Sequence, residues 1–264
     1  ALEGRRGAAN DEMLLAATVA LEPLLSTEGP PALHLLMLEL VLERVEGSTE
    51  QLDPAQVGKA LLARGRLLRA AARVAEANVD FNEALRVARH QGDLTLEAQV
   101  RLEISAGHAA RGRAEEARSE LDQVLKLQPS SAGLVVRARV GLATLALEER
   151  DAGQAAGHLA QALAIVEEGG DAAAAAQAAV HLARHDLEQL NGHGERAVLE
   201  LERAVTAFRQ AGDGSAEGRA LLGLAAHYRE RTLPSEASQY YRAAVARLRS
   251  AGQSRLVAQA LVDL

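Results

Sequence analysis

The sequence predicts an all-α protein, an α-solenoid of antiparallel helix hairpins, and three observations lead to that fold class. The 264 residues are 48% hydrophobic but include only two Phe, three Tyr and no Trp, so Ala, Leu and Val must form the core. Ala and Leu are strong helix formers, whereas strands draw on β-branched and aromatic residues. Apolar residues recur at three- and four-residue steps between breaks that carry Gly, Asp, Asn or Pro, which is the pattern of amphipathic helices. The whole pattern repeats about every 40 residues.

The first element, residues 1–54, is a degenerate N-terminal helix pair. Helices are predicted from Asp11 to Leu25 and from Pro31 to Val45, and the second is unusually apolar. This pair either caps the stack or offers an apolar face to another domain or subunit. We favour the cap because the terminal units of a repeat array are usually atypical.

Five hairpins follow, over about 55–93, 94–132, 133–171, 172–213 and 214–253, and residues 254–264 form a capping helix or the start of a further repeat. Small residues stand in register in these units. Two helices approach closely only where side chains are small, and a larger residue one turn away fills the adjoining gap. The small positions are Ala77, Ala117, Ala155, Ala197 and Ala237, with Gly65, Ser105, Ala143 and Ala225 twelve residues upstream, and the larger ones are Phe81, Leu121, Leu159, Leu201 and Tyr241. Ala183 joins the upstream set if the fourth unit carries an insertion of two residues near Asn191.

Turns are predicted where these helices break. Within hairpins they carry Gly112, Asp151 and the stretch 191–194. Between hairpins they carry Gly92, Pro129, Gly170, Gly212 and Gly252.

The repeat resembles tetratricopeptide repeats of the long variety, with about 40 residues rather than 34. The clearest copy runs from Leu221 to Leu248, and the turn Gly112 to Ala117 also matches. The resemblance implies a right-handed superhelix whose concave groove is lined by the first helix of each hairpin. Arg101 and Arg139 stand where the family usually has a large apolar residue, which predicts less regular packing there.

Composition excludes several function classes. No cysteine is present, which removes disulfides and thiolate chemistry and is typical of a reducing cytosol, so we expect a cytoplasmic protein. The net charge of −7 is spread without a long single-sign block, which argues against nucleic acid as the partner. The apolar stretch from Met13 to Leu25 is interrupted by Glu22 and Pro23 and falls short of the roughly 20 residues that span a bilayer, so no membrane insertion is expected.

No catalytic constellation emerges from the sequence. His181 and His185 lie one turn apart with His193 in the next turn, but a surface pair is favoured over a metal site because the Glu of a metalloprotease helix is missing. The glycine-rich segments 191–196 and 213–218 join helices, whereas phosphate-binding loops follow strands. We therefore expect no enzyme, cofactor or metal.

The candidate partner-binding residues follow from the resemblance, which places them in the concave groove. A locally positive track there would suit carboxylates through charge-assisted hydrogen bonds; the alternative is a row of ordinary solvated positions. A carboxylate clamp of the chaperone type is disfavoured because Ala106 replaces the expected asparagine. The candidates are Lys59, Gln99, Arg137, Gln177 and Arg219, with Arg66, Arg69, Thr144, Arg184 and Arg229 as a second set.

These observations favour a non-catalytic scaffold or adaptor that binds a protein or peptide. By resemblance, its context is bacterial signalling, polarity or complex assembly, and its partner an acidic segment, a small GTPase, a kinase or a response regulator. Two alternatives stay open: a regulatory sensor domain of a larger ATPase or transcription activator, and self-association through the N-terminal helices. The abrupt ends suggest a fragment of a longer protein.

Overall fold

A computed structural model describes residues 12–21, 31–46, 53–168 and 174–264. It confirms the all-α solenoid, because successive helices pack on one another within each of two compact units and no strand occurs in these ranges. The helices are α1 (12–20), α2 (Pro31–Glu46), α3 (Pro54–Ala70), α4 (Val74–Gln91), α5 (Leu94–Ala109), α6 (Ala114–Leu127), α7 (Ala132–Glu148), α8 (Ala152–Glu167), α9 (Ala174–Leu190), α10 (Gly194–Ala211), α11 (Gly214–Glu230), α12 (Pro234–Ser250) and α13 (Ser254–Asp263).

The chain divides into two compact units. The first, Ala1–Ser130, contains α1 to α6, and its hairpins are α3 with α4 and α5 with α6. The second, Ser131–Leu264, contains α7 to α13, with hairpins α7–α8, α9–α10 and α11–α12 and a last helix packed on α12. Asp11 and residues 22–25 of the first predicted helix, and the predicted turn at Gly170, lie outside the described residues.

Glycines terminate the helices at the predicted turns. Gly92, Gly212 and Gly252 between hairpins and Gly112 within one have positive φ, for example +67° at Gly92. Glycine adopts this left-handed conformation without steric cost, and it ends helices for that reason. The residue after Gly92, Asp93, then caps α5 by accepting a hydrogen bond from the Leu96 amide at 2.9 Å.

The predicted matching of small and large residues appears directly between α3 and α4. A Cβ atom placed on Gly65 would lie 2.6 Å from the Phe81 ring, and Phe81 is fully buried. A similar approach occurs at Gly218, where a Cβ would lie 2.6 Å from the Leu248 side chain. These helices touch at distances that only a residue without a side chain allows.

Buried glutamates join successive hairpins. Glu97, in the first turn of α5, accepts a hydrogen bond from Arg89 in the last turn of α4 at 3.2 Å. Glu217 of α11 accepts one from Arg209 of α10 at 2.9 Å in the same way. Both connections share the spacing Arg-x2-Gly-Asp-x3-Glu, so the same arginine–glutamate hydrogen bond joins the helices at both junctions.

Arg101 is part of the first of these clusters. Its guanidinium is buried and donates to Glu97 at 2.8 Å and to Glu120 of α6 at 2.5 Å. The position where an apolar residue was expected therefore holds a charge that is paired on two sides, which is how a buried arginine is accommodated.

Candidate protein-interaction surface

Three first helices of the hairpins, α3, α7 and α11, are buried on almost every side, and solvent reaches their middle turns only along narrow strips. Lys59 is the only exposed residue between positions 55 and 69 of α3, all of which are described. Arg219 is the only one between 213 and 228 on α11, again with every position described. The sequence predicts both residues to lie on the partner-binding track, and both are accessible in the fold.

The first helix of the second unit, α7, shows the same pattern. Arg137 and Thr144 are its only exposed residues between positions 131 and 147, a fully described stretch. The Thr144 hydroxyl donates to the Val140 carbonyl at 3.0 Å, so part of its hydrogen-bonding capacity is used within the helix. Gln99 of α5 and Gln177 of α9 are half-buried.

The arginines of the second set have partners within the fold. The carboxylate of Glu103 on α5 is buried and accepts from Arg66 at 2.9 Å, and Arg69 forms a second ion pair with it. Arg69 also lies over the Phe81 ring, 5.7 Å from its centroid. These two side chains join α3 to α5, and Glu103 offsets one of their two positive charges.

Arg184 and Arg229 are held in the same manner. Arg184 lies 3.2 Å from Glu200 of α10, a buried carboxylate that also accepts from Arg203 at 2.8 Å. Arg229 on α11 reaches Asp263 of α13 at 3.1 Å. The charge of the second set is therefore lower than the sequence alone implies.

The three histidines considered from the sequence as metal ligands, at positions 181, 185 and 193, do not share a site. His181 Nδ1 is 2.7 Å from Glu200, His185 Nδ1 is 2.7 Å from the Ala197 carbonyl oxygen, and His193 Nδ1 is 2.7 Å from Glu188. Among the residues that the structure describes, no group of three His, Asp or Glu side chains is arranged to hold a metal.

Three of the candidates meet in one pocket of the first unit. This cavity of about 420 Å³ lies between α1, α3 and α5. It joins an apolar floor to a polar rim, and Lys59, Arg66 and Gln99 all belong to the rim. The lining residues are Val19, Lys59, Leu62, Ala63, Arg66, Asp93, Thr95, Leu96 and Gln99.

The candidates of the second unit are more dispersed. A cavity of about 360 Å³ between α9 and α10 includes Gln177, but Arg137, Arg184 and Arg219 do not line it. His181 and Arg203, both bound to Glu200, lie on its wall.

An apolar strip runs along α2. Leu33, Leu36 and Leu40 are each about half exposed, at 51%, 49% and 57%. Their spacing of three and four residues places them on one face of the helix. A cavity of about 450 Å³ lies beside Leu40 and is also lined by Leu14, Val41, Glu43 and Arg44.

The buried carboxylates are the part of this surface that the sequence did not reveal. Glu103 stands 34 residues after Arg69, and only the packing of α5 on α3 shows that they meet. The repeated Arg-x2-Gly-Asp-x3-Glu spacing was a detectable signal for Glu97 and Glu217. Val19 belongs to the segment predicted to be a cap, and it also forms a wall of the pocket.

No family model and no curated protein matches the sequence. Solved structures match in fold. A STAND signal-transduction ATPase with a tetratricopeptide repeat sensor, from Pyrococcus horikoshii, is 16% identical with a TM-score of 0.62, over 87% of this chain and 36% of that one. The type IV pilus biogenesis factor PilW is 14% identical with a TM-score of 0.58, over 86% and 90%. BtubC from P. vanneervenii is 18% identical with a TM-score of 0.56, over 90% and 92%.

At these identities the likeness concerns the fold alone. None of the helices in the described ranges has the length and hydropathy to span a bilayer.

Proposed function

Because the chain has a tetratricopeptide-repeat fold, we propose that it is a non-catalytic interaction scaffold that binds a segment of a partner protein along the first helices of its hairpins. The observation that carries this proposal is the exposure pattern. Lys59, Arg137 and Arg219 are long, charged and accessible on helices that are otherwise buried. A rigid scaffold with a preformed surface loses little entropy on binding, so the cost falls mainly on the partner segment.

The proposed partner is acidic on the side that meets these helices. Lys59 and Arg219 make no hydrogen bond or ion pair with any described residue, so their charge is available to a ligand. Charge-assisted hydrogen bonds from such groups to carboxylates are the strong ones. A small GTPase, a kinase or a response regulator in the cytoplasm remains the proposed kind of partner, in bacterial signalling, polarity or complex assembly.

The test is affinity capture from a lysate of the source cells with three baits. The R137E/R219E variant reverses two exposed charges on first helices of the second unit. The control variant, R196E/R242E, reverses two exposed arginines on the second helices α10 and α12. Partners identified by mass spectrometry should bind the wild type and the control, and should be lost from R137E/R219E. Equal capture by both variants would reject binding along the first helices.

A sensor domain within a larger ATPase is the second candidate. The STAND protein supports it, because this chain corresponds to about a third of that protein, 36% of its length, and that protein has a tetratricopeptide repeat sensor. The full gene decides between the two: a nucleotide-binding segment in the same reading frame favours the sensor, and its absence favours the independent scaffold.

Self-association is the third candidate, and the exposed leucines of α2 support it. An apolar strip of this kind often marks a protein interface. Light scattering after size-exclusion chromatography measures the mass directly. A monomer of 27.9 kDa at high micromolar concentration would eliminate this candidate.

A further inference from the structure

We propose that the pocket between α1, α3 and α5 is the anchor point of the scaffold and that it takes a short peptide stretch in which an acidic residue adjoins an aliphatic one. This inference rests on the proposed function and adds to it the chemistry of the ligand. It is carried by the cavity of about 420 Å³, which combines an apolar floor with an accessible lysine.

The floor of the pocket is aliphatic. Leu62 and Ala63 of α3 and Leu96 of α5 form it, and Val19 of α1 adds a wall. No polar atom of these side chains is available to a ligand, so only an apolar group replaces water there with a gain in free energy. A leucine, isoleucine or methionine side chain has the matching chemistry.

The rim supplies the positive charge. Lys59 is exposed and unpaired among the described residues. Arg66 lies two turns further along α3, about 10 Å away along the helix axis, and its Nε is held by Glu103 at 2.9 Å. Lys59 is therefore the cation without a partner in the described part of the chain and Arg66 one that already has a carboxylate, so an incoming carboxylate is drawn first to Lys59.

Two further groups orient the ligand. Gln99 and Thr95 lie one turn apart on α5 and line the same cavity, so an amide and a hydroxyl face the bound segment and suit its peptide groups. Asp93 lies at the start of α5 and is engaged with the Leu96 amide at 2.9 Å. Asp93 lies toward the same end of the pocket as Lys59, since Gly58 packs against Leu96. It forms no ion pair with Lys59 and is engaged in capping α5, so the Lys59 ammonium stays available to an acidic residue of the ligand.

The size of the cavity allows a short peptide stretch. Pockets for small ligands measure about 300–1,000 Å³, and 420 Å³ exceeds the volume of one side chain. Two of the helices that surround it, α3 and α5, are first helices of hairpins and belong to the surface proposed for partner binding, so a longer segment continues from the pocket along them.

The experiment uses the full chain as bait in a selection from a random heptapeptide phage library. Selected peptides should share an acidic residue within two positions of a leucine, isoleucine or methionine. A fluorescein-labelled synthetic copy of a selected peptide then gives affinities by fluorescence anisotropy. The K59E variant should weaken binding roughly tenfold or more, K59R should retain it, and K126E should leave it unchanged.

Lys126 is the matched control because Lys59 and Lys126 are the only lysines of the chain, and Lys126 is exposed on the second helix α6. Zero-length carbodiimide crosslinking joins a carboxylate to an amine, so it reports which lysine meets the acidic residue. The crosslink should map to Lys59, be absent from K59R, and not form at Lys126.

The outcomes separate the two proposals. Selected peptides that lack an acidic residue, or that bind K59E as well as the wild type, would overturn the pocket assignment and leave the scaffold function standing. Enrichment of no peptide at all would count against both. Saturation of the pocket by free glutamate, with no peptide selected, would show a small-molecule site and overturn the peptide assignment.

Discussion

The contact between Gly65 and Phe81 yields a quantitative prediction about the packing of α3 on α4. In the G65A variant the new methyl group would lie 2.6 Å and 2.9 Å from two ring carbons, well inside van der Waals contact. Because the ring is fully buried, it moves only if its neighbours move. Overpacking of this kind costs about 1–3 kcal/mol, whereas Gly→Ala inside a helix contributes about 1 kcal/mol of stabilisation.

The net effect of G65A is therefore a loss of about 0–2 kcal/mol in the free energy of unfolding. Gly157 provides the control, because it lies inside α8 and a Cβ there meets no atom within 4 Å. G157A should stabilise the protein by about 1 kcal/mol. Gly107 provides a second control within the first unit, since the nearest atom, on Arg111, is 3.8 Å away.

Urea unfolding followed by circular dichroism at 222 nm measures these differences. The Gly65 and Gly157 variants share the helix-propensity gain, so the difference between them isolates the overpacking cost of about 1–3 kcal/mol. If G65A stabilises as much as G157A, the close approach of α3 and α4 is not a real constraint and the reasoning fails.

A double variant tests whether the ring of Phe81 causes the destabilisation of G65A. The third and fourth hairpins carry Ala with Leu at the positions of Gly65 and Phe81, so G65A/F81L recreates a pair that the chain already uses. F81L alone should destabilise, because it empties part of a packed site. The double variant should be more stable than the sum of the single changes by about 1–2 kcal/mol.

Three further predictions concern single groups. E217A should lower the free energy of unfolding by about 1–3 kcal/mol, measured in urea, because Arg209 and Arg247 lose the buried carboxylate that they share. D213A should cost about 1 kcal/mol, because the Asp213 side chain caps α11 through the Ala216 amide at 2.8 Å; D213N should recover most of the loss. Burial lowers the pKa of His227 from its ordinary value of 6.5, so the neutral imidazole contributes stability above pH 6.5, and that contribution is lost as the pH falls through the lowered pKa of the folded state. The H227Q variant should therefore show a smaller change in melting temperature between pH 7 and pH 5 than the wild type. An equal change in both proteins would exclude His227 as the source of the pH dependence.

The helices and their packing were predictable because the signals are local and repeated. Small residues such as Gly65 face Phe81 within one hairpin, and the same spacing recurs through the chain. Glycines at the turns, such as Gly92 and Gly212, adopt a left-handed conformation without steric cost and therefore mark where helices end. These constraints depend on a few neighbouring residues, so periodicity alone reveals them.

The pairing of charges was not predictable in the same way. Arg66 and Lys59 look equivalent in the sequence, since both are basic and stand on the accessible side of one helix. The fold gives Arg66 the carboxylate of Glu103, 37 residues away, and leaves Lys59 exposed. Which cation is neutralised depends on how α5 packs on α3, and no periodic signal encodes that.

The difference between cations with a carboxylate partner and exposed cations decides which substitutions can test the binding surface. Reversing Arg184 together with Arg137 and Arg219 would remove a positive partner from Glu200 and place a second carboxylate beside it, although Glu200 is buried. Arg203 and His181 still contact Glu200, but a second carboxylate beside a buried one is destabilising, so a loss of partner capture would report on folding as much as on binding. Arg137 and Arg219 are exposed, and reversing only these two keeps Glu200 paired. A loss of capture in that variant, at unchanged helicity, would therefore report on the surface itself.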